Sequence, residues 1–294
     1  MRRAAVAAAL LLWRAEAPLP EGNAYVRGLV DKQRHREEVL DLYTYDLLSV
    51  REELDDRGAV EESHSRRFEI FSVKGRPVRR LVEEDGRPLS PGRQAREDRE
   101  ARELAEAVRS GRAVSERPGV RLSAMLDRYD FRAIAREPLA GRPAIVLEFT
   151  PRPGARTIEN DRLLRQVRGR IWVDESEQEI VRAELANIAP IKRGGGLGAS
   201  VSSLSTRIEF RKVDDAVWLP AEEETVAAGR VLLFKKFRRR FRQTYGGYRR
   251  FSVDSQESPR PRPSPSPSPF PSPSPFPSPS VQPIEHVWSF LRSS

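Results

Sequence analysis

The chain has 294 residues, with 52 Lys or Arg against 43 Asp or Glu, a formal net charge of +9 and no cysteine. The missing cysteine excludes disulfides, thiolate metal sites and a lipid anchor on an N-terminal Cys. Only six of the basic residues are lysines and the acids are interspersed throughout, which describes a solvated exterior of mixed sign, so no nucleic-acid partner is expected.

Met1-Arg2-Arg3, the apolar stretch Ala4 to Trp13 and then Ala15-Glu16-Ala17 follow the basic, apolar, small-residue order of a secretory signal. A transmembrane helix needs about 20 apolar residues, and this run is shorter. Cleavage after Ala17 and a periplasmic mature chain are the expectation, although Arg14 and Pro18 depart from the pattern. An uncleaved amphipathic extension is the alternative. Residues 18–254 are then long enough for one large β-rich domain with its own core.

Gly22 to Leu42 predicts a helix, with Tyr25, Val26, Leu29 and Val30 at helical spacing to pack on a sheet. Extended segments follow at Tyr43–Leu54, Ala59–Val73 and Val78–Glu83, separated by Asp55-Asp56-Arg57-Gly58 and Lys74-Gly75-Arg76-Pro77 and closed by Asp85-Gly86. Gly92 to Arg109 alternates Arg and Glu with only Leu104 and Val108 as large apolar residues, and reads as a solvated helix or an insertion. After a short helix at Leu122–Leu126, strands are expected near Tyr129–Arg136, Ala144–Thr150, Gly169–Asp174, Glu179–Ala189, Ser200–Val213, Ala216–Ala227, Val231–Arg242 and Tyr248–Val253. Turns fall at Ala140-Gly141-Arg142-Pro143, Asp174-Glu175-Ser176, Asp214-Asp215 and Gly229, with a bend or bulge at Gly246-Gly247. Short gaps make sequential strands antiparallel. Residues 255–294 carry Pro-Ser repeats with little to bury and read as a disordered tail.

Catalytic signatures are missing from this pattern. His35, His64 and His286 have no paired ligand spacing, so no metal site and no cofactor are expected. Gly194-Gly195-Gly196-Leu197-Gly198-Ala199 leads into a strand pattern rather than the helix a phosphate loop requires. Glu222-Glu223-Glu224 alternates faces and reads as solvated. In Phe234-Lys235-Lys236-Phe237-Arg238-Arg239-Arg240-Phe241-Arg242, aromatics interleave with bases. Lys235, Lys236, Arg238 and Arg240 are candidates for an anionic surface. The competing reading is an edge strand with an arginine-covered outer face.

Gly141-Arg142-Pro143, Phe149-Thr150-Pro151-Arg152, Gly169-Arg170-Ile171-Trp172-Val173-Asp174, Val217-Trp218-Leu219-Pro220 and Tyr245-x-x-Tyr248-x-x-Phe251 together resemble the outer-membrane lipoprotein-sorting proteins, among the LolA/LolB-like periplasmic carriers. The resemblance covers roughly residues 25–254 and rests on turn and strand markers. It implies a mainly β fold, an unclosed antiparallel half-barrel whose concave face is covered by helices, with an apolar cavity for acyl chains. A non-catalytic carrier of lipid or acylated lipoprotein follows, with an envelope membrane protein as a further partner and a monomeric state. The apolar strand faces nominate Leu147, Phe149, Ile171, Leu204, Ile208, Phe210, Leu233, Phe237 and Phe241 as the lipid-binding wall. Two alternatives stay open: an envelope adaptor using its basic surface, and a hydrolase with an unrecognised carboxylate site.

Overall fold

The computed structural model describes residues 17–112, 128–153, 166–193, 199–231 and 235–250. The expected signal segment through residue 16, the expected helix at 122–126, the glycine-rich segment at 194–198, Leu233 and residues 251–294 lie outside these residues. Among the described residues, helix α1 (Gly22–Leu40) precedes strands β1 (Tyr43–Leu54), β2 (Val60–Val73), β3 (Arg76–Glu84) and β4 (Arg87–Pro88). Helix α2 (Pro91–Arg109) leads to β5 (Tyr129–Leu139), β6 (Arg142–Pro151), β7 (Val167–Asp174), β8 (Glu179–Asn187) and β9 (Ile191–Arg193). The last strands are β10 (Ala199–Val213), β11 (Val217–Val231) and β12 (Lys235–Arg250).

The turns that join these strands are built as the sequence suggests. Lys74-Gly75, Asp85-Gly86, Ala140-Gly141 and Asp214-Asp215 each place two successive residues at positive φ. That is the backbone twist of the tightest hairpin turns, and it fixes the register of the strands on either side. The result is one 12-stranded antiparallel sheet in the order β4-β3-β2-β1-β12-β11-β10-β8-β7-β6-β5, with β9 added beside β10. The first long strand pairs with the last, β1 with β12, and the ends of the sheet, β4 and β5, do not meet. The fold is therefore mainly β, an unclosed antiparallel half-barrel with flanking helices.

Three expectations change. Gly229 is not a turn: β11 runs through it, because a Cβ there would lie 2.1 Å from the Ser200 carbonyl oxygen and 2.8 Å from the Phe237 ring. The basic segment is not an edge strand either, since β12 lies between β1 and β11. It is one strand through Gly246-Gly247, where the register with β1 shifts by a bulge at Thr44/Asp46 and Gly247 takes φ +59°. The Arg/Glu-rich segment forms α2 and is not merely solvated: Ala101, Ala105 and Val108 are buried against Val73 and Val78, and Asp98 bonds Arg80 at 3.1 Å.

Residues paired across an antiparallel ladder share a face. One such row runs Ala133, Leu147, Ile171, Ala183 and Ile208 over β5 to β10. It continues as Glu223, Gln243, Ser49, Arg66 and Glu84 over β11 to β3. One face of the sheet is thus apolar on one half and polar on the other. Helix α1 packs on the apolar half, against β5 and β8, and reaches β11 at the border with the polar half. Helix α2 packs on the opposite face, because Phe71, Val73 and Val78 are out of phase with Arg66 and Phe68.

Candidate functional site

The apolar half of the sheet meets a helix that is only partly apolar. Glu21 caps α1 by accepting from the amides of Asn23 at 3.0 Å and Ala24 at 2.6 Å. The stripe that faces the sheet is Val26, Leu29, Gln33 and Arg36, at helical spacing, all buried. Its first two members join the main core, whereas the last two are polar. At the N-terminal end, Asn23 accepts from the Phe131 amide at 2.9 Å, and Gly22 sits so close that a Cβ would be 2.2 Å from the Phe131 carbonyl oxygen.

The C-terminal half is held by polar bonds instead. Lys32 donates to the Glu177 carbonyl at 2.7 Å, Gln33 to the Glu179 carboxylate at 3.2 Å, and Arg36 to the Ile180 carbonyl at 2.6 Å. Arg36 also donates to the Gln33 side chain and stands 3.5 Å from Glu179. Burial lowers the Arg36 guanidinium to about 10 despite the facing Glu179 charge. Burial likewise pushes the Glu179 carboxyl up against the pull of Arg36.

The structure brings every described member of the expected lipid-binding wall onto this one face. Leu147, Phe149, Ile171 and Leu204 are at most 4% exposed and pack with Val26 and Leu29. Phe149 meets Tyr129 edge-on at 5.0 Å. Phe237 is buried over Gly229, while Ile208, Phe210 and Phe241 are half-buried against the same core. Between these apolar groups lies a polar set that the sequence reading missed: Thr206, Thr225, Glu223 and Gln243 are all buried. Glu223, expected to be solvated, accepts from the Tyr245 hydroxyl, which also lies 2.7 Å from Gln243. Burial first, and then the Glu223 charge, push the Tyr245 phenol well above its ordinary range, so it stays a donor. The available signal was the run Glu223, Thr225, Ala227, Gly229, whose small residues mark the inward phase of β11.

The strand markers behind the family resemblance act as struts. Arg142 donates to Asp174 through two nitrogens and to Glu177 at 2.7 Å, and Glu177 also accepts from Lys212 at 3.0 Å and Trp218 at 2.8 Å. Tyr248 donates to the Pro220 carbonyl at 2.7 Å. Burial would raise the Asp174 carboxyl, but bonds from Arg142, Ser176 and the Glu177 amide hold it well below the carboxylate range. Among the described residues no cluster of His, Asp and Glu is arranged to hold a metal ion, and no helix is long and apolar enough to cross a membrane.

The basic segment of β12 divides in two. Arg240 donates to Glu52 at 3.0 Å, Arg242 to Glu224 at 3.4 Å and Arg239 to Glu53 at 2.6 Å. Arg240, nominated for an anionic surface, is thereby engaged inside the sheet's own ion pairs. Lys235, Lys236 and Arg238 instead border an open groove of about 1370 Å³ between the β1–β2 hairpin and the ends of β9 to β12.

No protein-family model matches the chain, and no curated protein matches it by sequence. Solved structures similar to it include a protein described as an outer membrane lipoprotein-sorting protein domain from Vibrio parahaemolyticus. That match has 10% identity and a TM-score of 0.39, and covers 80% of this chain and 94% of that one. A DUF1329 family protein from Desulfovibrio piger shares 13% identity with a TM-score of 0.34, over 79% of this chain and 95% of that one. A chain of the Pseudomonas aeruginosa MucA/MucB complex shares 12% identity with a TM-score of 0.23, over 74% of this chain and 93% of that one.

Proposed function

We propose that this chain is a non-catalytic, exported carrier that takes an acyl chain of a lipid or lipoprotein between α1 and the apolar half of the sheet. The observation that carries the reading is the mismatch at that interface. A continuous apolar face across β5 to β10 is covered by a helix whose last two inward positions are Gln33 and Arg36. Helix-to-sheet hydrogen bonds can be exchanged for water at a net cost of about 1.5–3 kcal/mol for a charged donor such as Arg36 and less for Gln33, whereas an acyl chain on the apolar face gains about 0.8 kcal/mol per buried methylene, so a few methylenes offset each bond. Entry therefore needs the C-terminal half of α1 to lift while Gly22 and Asn23 stay seated on β5. The cargo would then lie along Ile208, Phe210 and Phe241, the members of the wall that are only half-buried.

Uptake of a fluorescent fatty acid tests this. Wild type should take up the probe, and Ile208→Glu should abolish uptake while leaving the circular dichroism of the fold intact, since this position borders the polar half of the sheet. A second reading, an envelope adaptor without cargo, is favoured by the complete burial of Leu147, Ile171 and Leu204. It predicts no uptake by wild type and unfolding of the variant. Native mass spectrometry of protein purified from its own envelope separates the two by the presence or absence of bound lipid.

A further inference from the structure

Charge is matched along most of the β12 ladder. Across to β1, Glu52 faces Arg240 and Glu53 faces Arg239; across to β11, Glu224 faces Arg242. At the outer end of the strand the matching stops. Arg230 faces Lys236 directly, and on the next strands Ser200 faces both Arg230 and Lys192. Lys192, Arg230 and Lys236 thus stand in one row on the face opposite α1, all exposed. Like charges set opposite each other in a ladder cost stability, and among the described residues none of the three makes an ion pair or hydrogen bond. Arg238, on the same face, donates only to the Asp56 carbonyl, at 3.3 Å.

We propose that this row is a docking site for the phosphate headgroups of an anionic bilayer. The row crosses three strand spacings, roughly 14 Å, which gives separate seats to several phosphates and does not form a cage for one. Two exposed large apolar residues adjoin the groove's lining along the chain: Ile188 lies two residues before Pro190, and Val60 directly precedes Glu61. Basic side chains with aliphatic groups beside them are the composition that seats a protein on a lipid interface. The opposite wall, on the β1–β2 hairpin, carries Asp55, Asp56, Glu61 and Glu62. Asp55 is occupied by the Arg57 and Ala59 amides and Glu62 by His64, so two of these four acids are committed to the hairpin. The site is independent of the acyl-chain reading, since it lies on the other face of the sheet.

Flotation with phosphatidylcholine vesicles, with and without phosphatidylglycerol, tests the docking. Wild type should bind only the anionic vesicles, and added salt should release it. The triple variant Lys192→Ala, Arg230→Ala, Lys236→Ala should bind about a hundred-fold more weakly, at roughly five-fold for each cation removed. A control with the same change in net charge, Arg99→Ala, Arg102→Ala, Arg109→Ala on α2, should bind like wild type. Equal loss in the control would mean that net charge alone attracts the protein, and the proposal would be wrong. Failure of wild type to bind anionic vesicles would also overturn it, including the case where calorimetry shows inorganic phosphate bound at the row. Neither result would bear on uptake of a fatty-acid probe by the other face.

Discussion

The guanidinium of Arg36 lies 4.1 Å from the centre of the Phe210 ring, so a cation from the end of α1 closes over an aromatic side chain of the sheet. This contact, with the bond from Arg36 to the Ile180 carbonyl, makes Arg36 the main tie of the C-terminal half of the helix. Arg36→Met keeps an unbranched apolar stem and removes the charge and donors. The variant should lose about 1.5–3 kcal/mol of stability, the usual worth of hydrogen bonds from a charged group. Amide exchange should speed up over residues 30–40 and stay slow over residues 22–29, and fatty-acid uptake should accelerate. Uniform exchange along the whole helix would show that α1 does not open in halves.

At the other end of the helix the contact is steric. Gly22→Ala places a methyl group 2.2 Å from the Phe131 carbonyl oxygen and 2.8 Å from the Arg132 Cα, both of them backbone atoms that cannot swing aside. Overpacking of this kind costs about 1–3 kcal/mol. The helix should detach at its N-terminal end, which thermal unfolding and the loss of protection at the Phe131 amide would record. Gly28→Ala, with open space around it, is the matched control and should be neutral or slightly stabilising.

Gly169 tests the sheet itself. A Cβ there would lie 1.9 Å from the Glu184 carbonyl oxygen and 2.7 Å from the Phe149 ring. Gly169→Ala should therefore separate β7 from β8 and displace a ring of the core, lowering the melting temperature far more than an alanine at Gly92, where nothing lies nearby.

Asp174 gives a prediction in pH. Its folded carboxyl is held below the value of about 3.9 that it has in an unfolded chain. Its stabilising contribution is then fully present above that value and is lost as pH falls through the lower folded one. Wild type should lose stability steeply below about pH 4. Asp174→Asn should be less stable by roughly 2–3 kcal/mol at neutral pH and should show a shallower acid loss. Parallel acid-unfolding curves for the two proteins would show that other carboxylates govern the transition.

Much of the architecture was legible without coordinates because it depends on near neighbours. Period-two alternation located β6 and β10, and the residue types at Lys74-Gly75, Asp85-Gly86, Ala140-Gly141 and Asp214-Asp215 located the hairpin turns, since strand phase and turn conformation are decided within a few residues. The same alternation placed Leu147, Ile171, Leu204, Ile208 and Phe210 on one face. Sequence reading failed where a partner distant along the chain decides the outcome. Gly229 reads as a turn until the Phe237 ring occupies the space where its side chain would be. Glu223 reads as solvated until β12 brings Tyr245 beside it. The basic run reads as an edge until β1 pairs with it and supplies Glu52 and Glu53 to its arginines, leaving Lys192, Arg230 and Lys236 as an unmatched row. Local pattern fixes which way a side chain points; only the long-range pairing of strands decides what it meets there.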